Sequence, residues 1–288
     1  KLLRSGGGQP AFYNPSVLLD GLQKRFKNIR DEDIKKFCGG GCTETMLAGL
    51  SNVGSLDAGI NLLLILENSI KTELETATSF EAFYQQYINA VKETVETVTT
   101  EISNSQKQRA LYNPLPLRTL LIDDCIDNGL DYNNGGARYK WSIINFAGMI
   151  NVIDSMLVIR DLVFENKTYT ASDFISKLTA NDKDFLVQLR NHSVHFGVDH
   201  PDANSFSTRI STDIFSMLDD KKPFLGEGFL PASIQFNHQV VAGKKIGATP
   251  DGREAGSPLC DSLAAVFGKD TKGPTALLNS VTSLNLER

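Results

Sequence analysis

The sequence runs to 288 residues, 41% hydrophobic and 22% charged, with a formal net charge of -5. That balance supplies a large apolar core and excludes a disordered chain, and without a dense Lys/Arg block no nucleic-acid partner is expected. The longest apolar run, residues 62–66, is too short for a bilayer span; no signal peptide is visible, and four cysteines in so long a chain point to a reduced, cytoplasmic protein with no membrane partner.

Residues 1–10 (KLLRSGGGQP) read as a loop. Asn14 then caps a helix with Pro15 at its first position, and Val17, Leu18, Leu22 and Phe26 form its apolar stripe. Asp31 opens a short helical turn to about residue 36. Residues 57–70 read as a buried helix, because DAGINLLLILENSI is apolar on most faces. Ser79 starts a long helix in which Phe80, Phe83, Tyr87, Val91, Val95, Val98 and Ile102 recur at spacings of three and four. Pro114 and Pro116 break that pattern, and residues 117–127 are expected to form another helix. Asn134 and Gly135 mark a turn. Residues 143–164 read as mostly helical. Shorter helices are expected over 172–180, 182–192 and 202–218. The best strand signal is SIQFNHQVV, within 226–243. Residues 247–256 read as a loop, 263–267 as a short strand, and 272–284 as a loop leading to a helix or strand. No repeat or linker divides the chain, and helices alternating with short buried strands indicate a helix-rich α/β fold.

The chemistry-bearing stretch is GGGCTE, residues 39–44. Three glycines permit a tight loop that other groups can approach closely. In an extended loop residues i and i+2 face one side, which would put the Cys42 sulfur and the Glu44 carboxylate on one wall of a pocket. The bland alternative is a glycine-rich turn with a small buried cysteine and a solvated glutamate.

Other candidates have simpler readings. Cys38 and Cys42 lack the further ligands a zinc or iron–sulfur centre needs, so no metal is expected. His192, His195 and His200 read as surface or capping residues. Gly6, Gly7 and Gly8 lack the Lys-Ser/Thr of a phosphate loop. Asp251, Gly252 and Arg253 suggest a turn with a structural ion pair. Gly135, Gly136, Arg138 and Tyr139 suggest bracing. Ser280 and Ser283 have no His–Asp partners in sequence.

Five blocks in order resemble the glycyl radical enzymes, the pyruvate formate-lyase superfamily: LRSGGGQPAFYNPSVLL, GGGCTE with DAG downstream, LIDDCIDNGLDYNNGGARYKW, GKKIGATPDGREAGSPLCDS and KGPTALLNSVTSL. The resemblance implies a ten-stranded β/α barrel built from two half-barrels and wrapped in helices, with a central finger loop. It implies that Cys42 carries a thiyl radical and Glu44 is the general base of eliminating members. Asp57 would contact substrate hydroxyls, or else sit at a helix N-terminus favoured by the dipole. No bound cofactor is implied. A protein glycyl radical would be installed by an S-adenosylmethionine-dependent iron–sulfur activating enzyme, which is therefore an expected partner beside a small-molecule substrate; homodimers are common in the family.

No R-V-S-G-Y-like motif occurs in the sequence. Residues 1–288 are therefore expected to be a partial catalytic domain, without the N-terminal half-barrel or the glycyl radical domain, and inactive alone. Pyruvate formate-lyase itself uses two adjacent cysteines. Here Gly41 and Thr43 flank Cys42, so acyl transfer is not expected, and the Cys-x-Glu pairing resembles dehydratases and lyases. The alternatives are a formate acetyltransferase-like or decarboxylase member, or a non-catalytic relative serving as a binding or scaffold protein.

Overall fold

A computed structural model describes residues 14–40, 44–53, 57–233 and 238–286. At its centre lies a parallel sheet of β3 (Ala58–Asn61), β4 (Ser142–Ala147) and β5 (Phe229–Ala232), in the order β3-β4-β5. Ala58 pairs with Ile144, and Ser142 with Phe229.

This sheet corrects two expectations. Residues 57–70 and 143–164 are not helical throughout; each begins with a strand and only then continues as α3 (Leu62–Glu73) or α6 (Met149–Ile159). The cause is that a parallel strand covered on both faces is a continuous apolar run, with the same signature as a buried helix. Local chemistry marks the junctions. The Asn61 side chain accepts a hydrogen bond from Leu64 N at 3.2 Å, capping α3. Gly148, at φ +77°, turns β4 into α6, and a Cβ there would stand 3.2 Å from Leu63 Cβ and 3.3 Å from Leu259 Cδ1.

The two sheet faces bury different clusters. Ile60, Ile144, Phe146 and Phe229 face the main helical core. That core holds α3, the expected long helix α4 (Phe80–Tyr112), α9 (Pro201–Ser216) and α6, every residue of which is buried. Ile143 instead joins Leu47, Leu50, Tyr139, Trp141 and residues of α1 (Pro15–Arg25), with Leu230 and Ala232 packed against them. Neighbouring residues of β4 thus serve opposite layers, as strand alternation requires. Beneath α6, the Lys269 ammonium lies 3.4 Å from the fully buried Asp154 carboxylate, whose other oxygen accepts from Phe196 N at 2.8 Å.

The other elements follow the expected order with shifted bounds. α1 starts at Pro15 as expected, and Asp31 opens α2 (Asp31–Ile34), but the Asn14 side chain accepts from Ser16 Oγ at 2.7 Å rather than from the backbone. Only α5 (Pro116–Leu120) is helical within 117–127; turns follow, because exposed Leu120, Leu121 and Ile126 give the segment no buried face. α7 (Ala171–Thr179) is capped by Thr170 and not by the expected Ser172, and α8 (Lys183–Arg190) by Asp182. The strand expected from SIQFNHQVV falls earlier, at β5; residues 234–237 lie outside the described set, and α10 (His238–Gly243) is helical. Residues 263–267 form turns rather than a strand, and α11 (Gly273–Thr282) settles the C-terminal ambiguity as helix.

Candidate functional site

The residues on either side of 41–43 pair as two antiparallel strands. β1 (Phe37–Gly40) pairs with β2 (Glu44–Leu47), in register from Phe37↔Leu47 to Gly40↔Glu44. Cys42 falls among residues 41–43, outside the described residues. Glu44 is half-buried on the rung next to the turn. A Cβ on Gly40 would lie 2.6 Å from Met46 Sδ, so the thioether occupies the space a side chain would need.

The foot of the hairpin is fixed by hydrogen bonds. Ala48 N donates to Lys36 O at 2.8 Å, and Leu47 N to Ser51 Oγ at 3.0 Å. Tyr139 N then donates to Leu50 O, and Asn52 N to Tyr139 O, both at 3.1 Å. Asn52 also clasps the Trp141 backbone, donating to its carbonyl at 2.7 Å and accepting from its N–H at 3.2 Å.

The GGARY block therefore braces the finger, as its residues suggested. Tyr139 OH donates to Asp33 Oδ2 at 2.6 Å, and Arg30 Nε and Arg138 Nη1 reach the same oxygen at 2.8 and 3.2 Å. Arg138 also forks onto Asp124, at 2.5 and 2.7 Å. Gly136 has no room for a side chain: a Cβ would stand 2.3 Å from Leu130 O and 2.8 Å from Cys125 Sγ.

Burial pushes the Asp33 carboxyl up, but hydrogen bonds from Arg30, Tyr139 and Arg138 outweigh it and hold the pKa at about 2. A carboxyl depressed on folding contributes stability above its unfolded value, about 4, and loses it as pH falls from there through the folded value. Denaturation midpoints should therefore drop between about pH 4 and pH 2, and Asp33→Asn should flatten that limb. A limb of unchanged steepness in the variant would contradict this role.

Asp57 precedes β3 and is not at a helix N-terminus; α3 starts at Leu62, so the dipole reading is overturned. Its backbone N–H donates to Ile143 O at 3.1 Å, and its Oδ2 accepts from Ile143 N at 2.8 Å. The carboxylate thus completes the ladder at the sheet's entrance. Burial raises its pKa, opposed by the Ile143 hydrogen bond and by Arg109. Asp57 also lines a cavity of about 310 Å³ with Asn52, Gln106, Arg109, Arg118 and Lys140. That cavity was not legible in the sequence, because its walls come from the finger's foot, the end of α4, α5 and the approach to β4.

The remaining candidates have structural roles. His192 Nε2 lies 3.0 Å from Asp161 Oδ2, and His200 caps α9. His195 Nδ1 contacts Phe196 O at 3.0 Å. Asp251 is buried and accepts from Thr249 Oγ1 and Asn151 Nδ2, each at 2.6 Å. Arg253 donates to Thr249 Oγ1 and to the carbonyls of Gly247 and Ser257. The expected direct ion pair between the two is thus replaced by a link through Thr249. Ser280 Oγ, fully buried, accepts from Asp199 N at 3.1 Å. Gly6, Gly7 and Gly8 lie outside the described residues.

The hairpin and its brace sit inside a segment with known relatives. The pattern of the PFL-like family, described as pyruvate formate lyase-like, matches residues 1–243. The chain belongs to this family. It is 26% identical to trans-4-hydroxy-L-proline dehydratase of Clostridioides difficile, over 99% of this chain and 38% of that protein. Identity to (2S)-3-sulfopropanediol dehydratase of Klebsiella oxytoca is also 26%, over 98% and 37%. The glycerol-bound B12-independent glycerol dehydratase of Clostridium butyricum superposes with a TM-score of 0.91 at 27% identity, covering 99% of this chain and 38% of that one. This pyruvate formate lyase-like chain thus spans less than two fifths of the length of these relatives. The likeness bears out the expected fold, a helix-rich α/β part of the family's barrel.

Proposed function

We propose that this chain carries the reaction finger of a glycyl radical lyase that eliminates a substituent from a small polar substrate. The observation behind this reading is the register of β1 and β2: Gly40 pairs with Glu44, and the residues between them in sequence, which lie outside the described set, include Cys42. Glycine at 40, the thioether packed over it and the braced foot suit a tip held in a confined space.

A protein glycyl radical supplied by a segment outside these residues would provide the hydrogen-atom acceptor, and Cys42 is the residue whose thiol would give up its hydrogen atom to it. Cys42 then takes a hydrogen atom from a substrate carbon. Glu44 accepts the proton of the hydroxyl on that carbon and hands it to the neighbouring substituent as that substituent leaves, so the proton is neither gained nor lost overall. The product carbon recovers a hydrogen atom from Cys42, so the thiol acts as a relay and not as a nucleophile. Asp57, with Oδ2 held by Ile143 N, presents its second oxygen to a substrate hydroxyl. An S-adenosylmethionine-dependent iron–sulfur activating enzyme installs the radical, the assembly is a homodimer, and the site of action is the cytoplasm.

The test is anaerobic activation of a polypeptide holding this chain together with a glycyl radical segment. A doublet in the spin-resonance spectrum and consumption of a small diol, amine or hydroxy acid are expected. Glu44→Gln should keep the doublet and lower kcat by about 10²–10⁴-fold, the usual scale for a general base. Undiminished kcat in that variant would remove Glu44 from the mechanism.

A further inference from the structure

The cavity beside Asp57 has an unusual balance of charge. Arg109, near the end of α4, and Arg118, in α5, are distant in sequence yet line the same space. Neither guanidinium makes a hydrogen bond or ion pair among the described residues, and Arg118 lies over the Tyr132 ring, 5.0 Å from its centroid. Stacking steadies the guanidinium plane and leaves its N–H fork unspent. The Lys140 ammonium is fixed in the wall by the carbonyls of Gly135 and Ala137, at 2.9 and 2.7 Å. Gln106 is engaged at both ends, donating to Ser142 Oγ at 2.8 Å and accepting from Leu225 N at 2.9 Å. Three cations therefore face one acid, Asp57, whose Oδ1 has no hydrogen bond among the described residues.

From this we infer that the cavity binds a small hydroxylated carboxylate, its carboxylate held by Arg109 and Arg118 and its hydroxyl donating to Asp57 Oδ1. Planar guanidinium forks match a carboxylate bidentately, which an ammonium cannot do. A hydroxyl is the group that an ionised carboxylate can accept without repulsion. The volume of about 310 Å³ is at the small end of ligand sites, suiting a molecule of a few carbons. This inference rests on the proposed role of Asp57 toward a substrate hydroxyl and adds the class of substrate; equilibrium binding tests it separately from the radical chemistry.

Titration calorimetry of the 288-residue chain with glycerate tests it. Saturable one-to-one binding is expected, with glycerol and acetate each weaker by about tenfold or more, since each lacks one of the two recognised groups. The double variant Arg109→Gln, Arg118→Gln should weaken glycerate by at least about tenfold while keeping a cooperative thermal transition, lowered only by the small loss of the Arg118 stacking on Tyr132. The double lysine variant, which keeps the charge but loses the fork, should also bind more weakly. Asp57→Asn should erase the preference for glycerate over propionate. Absence of saturable binding, acetate or sulfate matching glycerate, or undiminished affinity in both double variants would overturn the inference.

Discussion

Serine in place of Cys42 should abolish turnover in the activated protein and leave the glycyl doublet intact. On the proposed mechanism the two readouts separate, because the radical would arise outside residues 37–47 whereas hydrogen transfer to substrate would need a group with a weak bond to hydrogen at position 42. Serine is close to cysteine in size and shape, so a loss of activity with the doublet retained would report on the S–H bond and not on misfolding. Cys38 provides the control. It stands in β1 opposite Met46, half-buried, on a rung remote from the turn. Cys38→Ser should therefore retain turnover, and loss of activity in it alone would assign the chemistry to the wrong cysteine.

The largest stability change should come from Lys269→Met. Its ammonium is 5% exposed and lies 3.4 Å from Asp154, which is 0% exposed. Removing one partner of a buried pair leaves the other charge uncompensated, at a cost of about 3–5 kcal/mol. Burial already raises the Asp154 pKa, against the opposing pull of Lys269 and the Phe196 N–H. Without the lysine it should rise further. A carboxyl raised on folding loses stability as pH increases, so the variant's deficit should be larger at about pH 8 than at about pH 5. Asp154→Asn combined with Lys269→Met should recover much of the loss, since an amide oxygen can still accept from Phe196 N. Urea midpoints across the double-mutant cycle would measure this. A deficit independent of pH and not relieved in the double variant would mean that the lysine stem, not its charge, holds the segment.

The relation between sequence and structure differs from element to element. α4 was legible because its apolar stripe recurs at helical spacing from Phe80 to Ile102, and α1 because proline follows asparagine at its start. β3 and β4 were not, because both faces of the sheet are covered and their residues merge with the following helices into single apolar runs. The GGARY brace was legible as a motif, but its partner was not. Asp33 lies 106 residues from Tyr139, and no local pattern announces that contact. GGGCTE indicated a finger, and the register of β1 and β2 refines it into a hairpin; the meeting of Cys42 and Glu44 at its end is the proposal built on that register. Asp57 illustrates the limit of motif reading. The apolar run that follows it suggested a helix start, whereas its carboxylate completes a strand ladder and faces a cavity assembled from distant arginines.

The most direct measurement is a crystal structure of the substrate-bound protein that contains this finger. The expected result is Cys42 Sγ at about 3–3.5 Å from a substrate carbon, with a Glu44 oxygen about 2.6–3.2 Å from a hydroxyl on that carbon. A Cys42 thiol open to bulk solvent, with substrate bound elsewhere and Glu44 out of reach, would contradict the assignment.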